Sequence, residues 1–140
     1  MPLYASDGVA LAKTHYYGGI RKYQWAAIPL ALHGAVVRAD GSVVEVAIGE
    51  DEADPVFYIS DLLPHLAAKQ NAKPLGEGLG GEDLNIWLGN IPYTVAEEEK
   101  DRTVKENLLH ILHEKYGICE EDFLSAELSL VPAFKARDVG

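Results

Sequence analysis

The chain has 140 residues, 48% of them hydrophobic, and its 12 basic and 22 acidic residues give a formal net charge of −10. This length and apolar content suit one core, so we interpret residues 1–140 as a single domain. The acidic balance argues against binding to nucleic-acid phosphates or to anionic membrane surfaces. No apolar run approaches the roughly 18 residues of a membrane span, and the single cysteine, Cys119, leaves no internal disulfide. We therefore expect a cytoplasmic protein.

The first dozen residues show no clear hydrophobic period, and the first predicted strands lie on both sides of the pair Gly18 and Gly19, which indicates a turn. The clearest local signal is GAVVRADGSVVEVAIG. In it Asp40-Gly41 separates two β-rich runs and supplies the positive φ that a tight hairpin needs. Further strands are predicted at DPVFYI and, after the glycine-rich loop KPLGEGLGGED, at LNIWLG.

A short amphipathic helix is predicted within ISDLLPHLAAKQ, residues 59–70. A cap at Ser60 or Asp61 leaves Pro64 in the first turn, where backbone N–H groups have no intrahelical acceptor and a proline costs little. His65 then falls at the border of the apolar stripe of this helix. The residues alone leave it open whether His65 is a polar helix-edge residue or a binding group.

A longer helix is predicted from about Ala96 to Tyr116, with acidic residues at its front and Gly117 as its stop. Its apolar stripe consists of Val104, Leu108, Ile111, Leu112 and Tyr116. The tail LSAELSLVPAFKARDVG alternates apolar with polar or small residues and predicts a final strand. The fold class is therefore α+β: a mainly antiparallel sheet or small open β-barrel, with one long and one short helix packed on it.

Motifs that could hold a metal ion or a phosphate are weak. HILHE, residues 110–114, spaces its histidines by three where zinc-protease helices need four, and its glutamate is misplaced. The glycines of residues 76–81 lack a lysine at the spacing of a phosphate-binding loop. Neither acidic run, at residues 50–54 or 97–99, has a pair of histidines beside it at the spacing of metal ligands. We expect no metal ligand in this chain.

Three stretches together resemble the interior of an aspartyl aminopeptidase of the aminopeptidase I family of zinc metallopeptidases. They are PLYASDG…KTHYYGGIRKYQW…IPLALHGAVV, IGEDEADPVFYISDLLPHLA and YGICEEDFLSAELSLVPAFKARDVG. The resemblance covers nearly the whole chain, in order and in spacing.

The resemblance implies a parent enzyme whose catalytic domain holds two metal ions and is interrupted by an inserted domain. This insert mediates dimerisation, and dimers assemble into dodecamers. The chain resembles the insert, because the family's His-x-Asp and Pro-Arg-x-Asp ligand motifs are not in it. We expect zinc in the two-metal site of the parent, none bound by this chain, no catalytic residue in cis, and an inactive isolated chain. Both ends of the sequence fit a domain taken from a longer protein.

The resemblance also implies a role for His65. The family's insert carries a Pro-His-Leu-Ala helix start whose histidine reaches across the dimer into the partner's active site, and Pro64-His65-Leu66-Ala67 matches it. His65 is thus expected to bind a peptide substrate in trans. Gly18 and Gly19 match the family's glycine turn in part, and the basic residues after them indicate a bacterial branch.

A different class of protein remains open from the residues alone. The chain could be a freestanding β-module, without catalytic activity, whose sheet edge takes up a peptide or a partner strand.

Overall fold

The computed structural model of the chain describes residues 3–93 and 104–140. Its strands and helices are, in chain order, β1 Leu3–Ser6, β2 Val9–Ala12, β3 Leu30–Val37, β4 Val43–Ile48, α1 Ala68–Asn71, β5 Ile86–Gly89, α2 Val104–Tyr116 and β6 Ala126–Pro132. Over these residues the strands form two open antiparallel sheets, in the orders β1-β2-β5 and β4-β3-β6. The predicted α+β class is confirmed, with two small sheets in place of one sheet or a barrel.

The hairpin predicted around Asp40-Gly41 is confirmed. β3 and β4 pair in register from Leu32 with Ile48 to Val37 with Val43. Gly41 has a φ of +83°, and the carboxylate of Asp40 accepts hydrogen bonds from the backbone N–H and the hydroxyl of the serine two residues on, at 2.9 and 2.5 Å. The aspartate thus closes the turn while the glycine supplies its left-handed backbone.

A second hairpin was missed in the sequence. β1 and β2 are joined at Asp7 and Gly8, whose φ angles are +52° and +76°. Positive φ at both central residues is the geometry that favours Asp-Gly in two-residue hairpin turns. The dipeptide itself was the available signal, although the short flanking runs lack the β-rich pattern seen around Asp40.

Of the strands predicted on the two sides of Gly18 and Gly19, the one before the pair is wrong, and the one after it begins only at Leu30, as β3. Residues 13–21 form neither strand nor helix, and Lys22–Gln24 is a single 3₁₀ turn. The hydroxyl of Thr14 donates a hydrogen bond of 2.5 Å to the carbonyl of Leu84. Several apolar side chains of this region pack on the core from an irregular backbone, namely Ile20, Tyr23 and Trp25. The apolar pattern that predicted strands here therefore reflects the burial of these side chains and not a strand backbone.

The strand predicted at DPVFYI is reduced to three isolated bridges at residues 57–59. Phe57 pairs with Leu30 of one sheet, through N–H···O bonds of 2.9 and 2.7 Å, while Tyr58 accepts a bond of 2.9 Å from Trp87 of the other sheet. The third bridge joins Ile59 to the short connection before β3. Because successive residues have different partners, no continuous ladder forms, and the segment ties the two sheets together.

The short helix begins later than predicted. Pro64 lies in a separate turn, closed by a hydrogen bond of 2.8 Å from the N–H of Leu66 to the carbonyl of Leu63, and α1 starts only at Ala68. The leucines of the supposed apolar stripe, Leu62, Leu63 and Leu66, are 54%, 60% and 62% exposed. None of them belongs to the core cluster of the described residues, so the packing that stabilises most helices is missing there.

The long helix is present as α2, and the predicted residues 96–103 lie outside the described residues. It ends as predicted: Gly117 has a φ of +65° and its N–H donates to the carbonyl of His113 at 2.8 Å, the left-handed C-cap arrangement. Val104 and Leu112 are buried, but Ile111 is 48% exposed, so the predicted stripe is wrong at that position.

The closest backbone approach in the second sheet is at Gly34 in the middle of β3. A Cβ atom placed there would lie 1.9 Å from the carbonyl oxygen of Glu127 in β6, and the φ of Gly34 is +151°. Only glycine allows β6 to pair with β3 at this point.

We predict that Gly34→Ala destabilises the fold, because the methyl group forces the central strand and β6 apart. The expected loss in the free energy of unfolding is about 3 kcal/mol, at the upper end of the usual cost of overpacking. Urea unfolding followed by circular dichroism measures it. Gly76→Ala is the matched control, since nothing lies within 4 Å of its added methyl group. Equal stability of the two variants would contradict the prediction.

We also predict a pH dependence for the hairpin. The hydroxyl of Ser42, then its backbone N–H, lowers the pKa of Asp40 from its ordinary value of 3.8. Because the folded-state pKa is below the unfolded one, the stabilisation is complete above pH 3.8 and is lost as the pH falls through the folded-state pKa. The gap in melting temperature between the wild type and Asp40→Ala should therefore be constant above about pH 5 and shrink below pH 3.8. Asp138→Ala, in the exposed tail, should show no such gap.

Candidate functional site

The Pro64 turn, residues 62–66, presents His65 on the surface. The side chain is exposed, and within the described part of the chain its imidazole has no hydrogen-bond or ion-pair partner. The leucines on both sides of it are more than half exposed. The turn is therefore an apolar projection with one titratable group near its tip.

The two ends of the Pro64 turn are anchored, although its middle is not. At the front, the carboxylate of Asp61 accepts a hydrogen bond of 2.8 Å from the N–H of Leu62 and one of 3.0 Å from the amide of Gln70 in α1. At the back, Ala67 is only 4% exposed. This arrangement holds the projection on a defined base, and proline restricts its backbone further.

The two glycines predicted at the structural turn differ from each other. Gly18 has a φ of +67°, whereas Gly19 is outside the left-handed region, and an added Cβ would have free space at both positions. Tyr17, just before them, is 89% exposed. The backbone constraint at this turn therefore rests on Gly18.

The described residues do not provide a zinc site. They contain no group of three histidine, cysteine or carboxylate side chains placed to hold a metal ion. The histidine-containing donor pairs among these residues have two members each: His33 Nε2 with Glu50 Oε1 at 3.1 Å, His110 Nε2 with Glu114 Oε1 at 3.4 Å, and His113 Nδ1 with Cys119 Sγ at 3.7 Å. Catalytic zinc sites use three protein ligands. The donor sets of the described residues do not fit a catalytic metal.

A cleft of about 710 Å³ was not predicted from the sequence. One side of it is β6, the other is residues 13–17, and the residues between them are mostly apolar. They are Ile20, Trp25, Leu30, Ile59 and Leu84. His65, Gly18 and Gly19 do not line it. The molecule thus has two separate candidate regions, the Pro64 turn and this cleft.

Comparison with known proteins gives the class. The sequence model of the family described as aminopeptidase I zinc metalloprotease (M18) matches residues 2–140. The chain therefore belongs to the M18 family of zinc metallopeptidases, as the sequence resemblance indicated.

Relatives and solved structures agree with this assignment. The chain is 55% identical over 139 residues to the probable M18 family aminopeptidase 1 of Clostridium acetobutylicum and 51% identical to that of Thermotoga maritima. Each match covers 99% of the chain and 30% of the relative. The crystal structure of the Thermotoga maritima M18 aminopeptidase superposes with a TM-score of 0.88 at 49% identity, and that of aminopeptidase I from Clostridium acetobutylicum with 0.87 at 50%, over the same shares.

The chain thus spans about 30% of the length of the curated relatives that it matches, and it is similar to one domain-sized part of an aminopeptidase. Among residues 3–93 and 104–140, no helix has the length and apolar character needed to cross a membrane.

We predict that Gly18→Ala and Gly19→Ala differ in stability. Alanine at position 18 must adopt a left-handed backbone, which costs about 1 kcal/mol, whereas alanine at position 19 needs no such change. Thermal unfolding of both variants measures the difference. Identical melting temperatures would show that the turn does not depend on the backbone of Gly18.

Proposed function

We propose that the chain is the dimerisation and substrate-gating domain of a dinuclear-zinc aminopeptidase, which removes N-terminal residues from peptides and assembles into dodecamers. In this proposal His65 is contributed to the active site of the partner subunit. The observation that carries it is the Pro64 turn: an anchored projection with exposed leucines and a histidine without partners among the described residues. Membership of the family and the 30% coverage of the relatives support the placement within a larger enzyme.

In this proposal the zinc ions of one subunit and His65 of its partner act on the same substrate. Zinc in the parent enzyme would act as a Lewis acid on the scissile carbonyl and on water, with ligands from regions outside this chain. The part of this chain is positional: the imidazole of His65 would bind the substrate through a hydrogen bond. The leucines beside it would become buried against the partner and exclude water.

The exposed leucines also indicate why the turn belongs at an interface. Fully burying a leucine side chain contributes about 2 kcal/mol, and three of them lie together around one proline-restricted turn. A contiguous exposed apolar surface of this kind marks a site of protein–protein contact. Free in solution, the same surface favours aggregation.

We predict that His65→Ala in the full-length enzyme lowers kcat/KM by about 10-fold to 100-fold without changing the oligomeric state, because a substrate contact of 1–3 kcal/mol is lost. The measurement combines steady-state kinetics with sedimentation velocity. His113→Ala removes an exposed imidazole from α2 and is the matched control. A kcat/KM for His65→Ala equal to that of the control would reduce the domain to a scaffold.

Mixed oligomers test whether His65 acts in trans. Subunits with His65→Ala are combined with subunits that keep His65 but lack a metal ligand. If the histidine serves the partner, the mixture is more active than either parent alone. If it serves its own subunit, mixing restores nothing. The isolated 140-residue chain should show no metal-dependent turnover in the same assay.

A further inference from the structure

The cleft beside β6 follows the edge of the strand and not one of its faces. All residues from Ala126 to Leu130 line it. Because successive side chains point to opposite faces of a strand, a cleft on one face would be lined by every second residue. Lining by consecutive residues places the cleft along the edge that β6 turns away from β3, its one partner strand among the described residues.

One hydrogen bond shows which backbone groups face the cleft. The N–H of Ala133 donates to the carbonyl of Pro29 at 2.9 Å and so points to the β3 side. The pairing of β6 with β3 has no register shift, and N–H groups alternate between the two edges of a strand. The N–H and C=O groups of Leu128 and Leu130 therefore point into the cleft. Pro132 occupies the next outward position, where its missing N–H costs no ladder bond.

The other side of the cleft limits what can enter. Residues 13–17 belong to no regular element, and Thr14 fixes them to the carbonyl of Leu84. Because residues 13–17 line the same cleft as β6, the space beside the edge is bounded, and it suits a single extended chain better than the edge of another sheet. Its length along Ala126–Leu130 is about 14 Å at the rise of a strand, and 710 Å³ is in the usual range for ligand pockets.

The charges near the cleft and the backbone groups along the edge of β6 favour a peptide as its ligand. In a chain of net charge −10, no acidic residue occurs between Asp7 and Asp40, and the one acidic residue among the described residues that line the cleft is Glu127, whose side chain points to the opposite face of β6 from that of Leu128. Lys13 lines the cleft, and the ammonium of Lys22 lies 5.6 Å from the ring of Tyr16 beside it. Of the devices that protect free edges from pairing, β6 has a charged residue and a proline, Glu127 and Pro132, but no lysine and no bulge, and the outward N–H groups of Leu128 and Leu130 remain in place.

We propose that this cleft binds an extended peptide as an added strand on β6, with apolar side chains over its floor and an acidic group beside Lys13. The site does not use His65, and peptide binding does not depend on the proposed function. In an aminopeptidase the site would hold a part of a peptide away from the bond that is cut, and only that use rests on the proposed function.

The probe is an N-acetylated, fluorescein-labelled peptide of alternating valine and threonine with one terminal aspartate, titrated with the 140-residue chain by fluorescence anisotropy. We expect saturable binding. Two further peptides carry backbone N-methyl groups on one or the other alternate set of residues. The peptide that is methylated on the residues that hydrogen-bond to β6 should bind about tenfold more weakly, which is the effect of losing one or two hydrogen bonds. The peptide that is methylated on the other residues should lose less affinity. Absence of saturable binding, or equal binding of all three peptides, would overturn the proposal.

Variants of the protein test the contact between the peptide and β6 by changing β6 instead of the peptide. Leu130→Pro removes an outward N–H and a side chain, whereas Leu130→Ala removes the side chain alone. We expect about tenfold weaker binding for the proline variant than for the alanine variant. Circular dichroism checks that both variants are folded. If the proline variant is unfolded, binding of the methylated peptides to the wild-type chain tests the proposal instead. Lys13→Glu should weaken the aspartate peptide and leave a neutral peptide unchanged.

A second copy of the chain is the competing occupant. Three results together would show that the edge is a subunit contact and that the proposal is wrong. They are self-association of the wild type in sedimentation velocity, a monomeric Leu130→Pro variant, and no binding of the peptide. Peptide binding by the chain and kinetics of His65→Ala in the full-length enzyme are separate readouts, so either proposal can fail without the other.

Discussion

The pairing of Leu30 with Phe57 is the constraint on which the rest of the structure depends. Two backbone hydrogen bonds join these residues, and the next residue along, Tyr58, bonds to Trp87 of the other sheet. A three-stranded sheet covers little apolar surface by itself, so neither sheet has much core of its own. The short crossing segment brings them together, and Leu30, fully buried, lies at the centre of the shared core.

The sequence predicted best those features that depend on a few neighbouring residues. Asp40-Gly41 and Gly117 were placed correctly, because a left-handed backbone has few residue types that tolerate it. Strand β6 was placed correctly because its alternation survives in the fold. Asp7-Gly8 has the same turn chemistry and was missed, since the flanking runs are only four residues long.

The errors arose where tertiary contacts decide. Residues 57–59 are rich in β-forming side chains but divide their hydrogen bonds between two sheets, which no local pattern reveals. Around Pro64 the periodicity was that of a helix, yet the leucines that should stabilise it are more than half exposed and lie outside the core cluster of the described residues. For the candidate sites, the family motif directed attention to His65, while the cleft came from the meeting of residues distant in sequence, Lys13 and Leu130 among them. Such a meeting becomes visible only in three dimensions.

The long sequence separation between β3 and β6 has a consequence for synthesis. β3 is the middle strand of its sheet, and its partner on one side, β6, pairs Leu30 with Pro132, about a hundred residues later. Contacts of such separation slow folding because a long loop must close before they form. On the ribosome, the edge of β3 that pairs with β6 and the carbonyl of Pro29 therefore stay without these partners until β6 emerges. During that interval the nascent sheet is open on the side that β6 later occupies, and this is the period in which the chain is most exposed to pairing with a wrong strand.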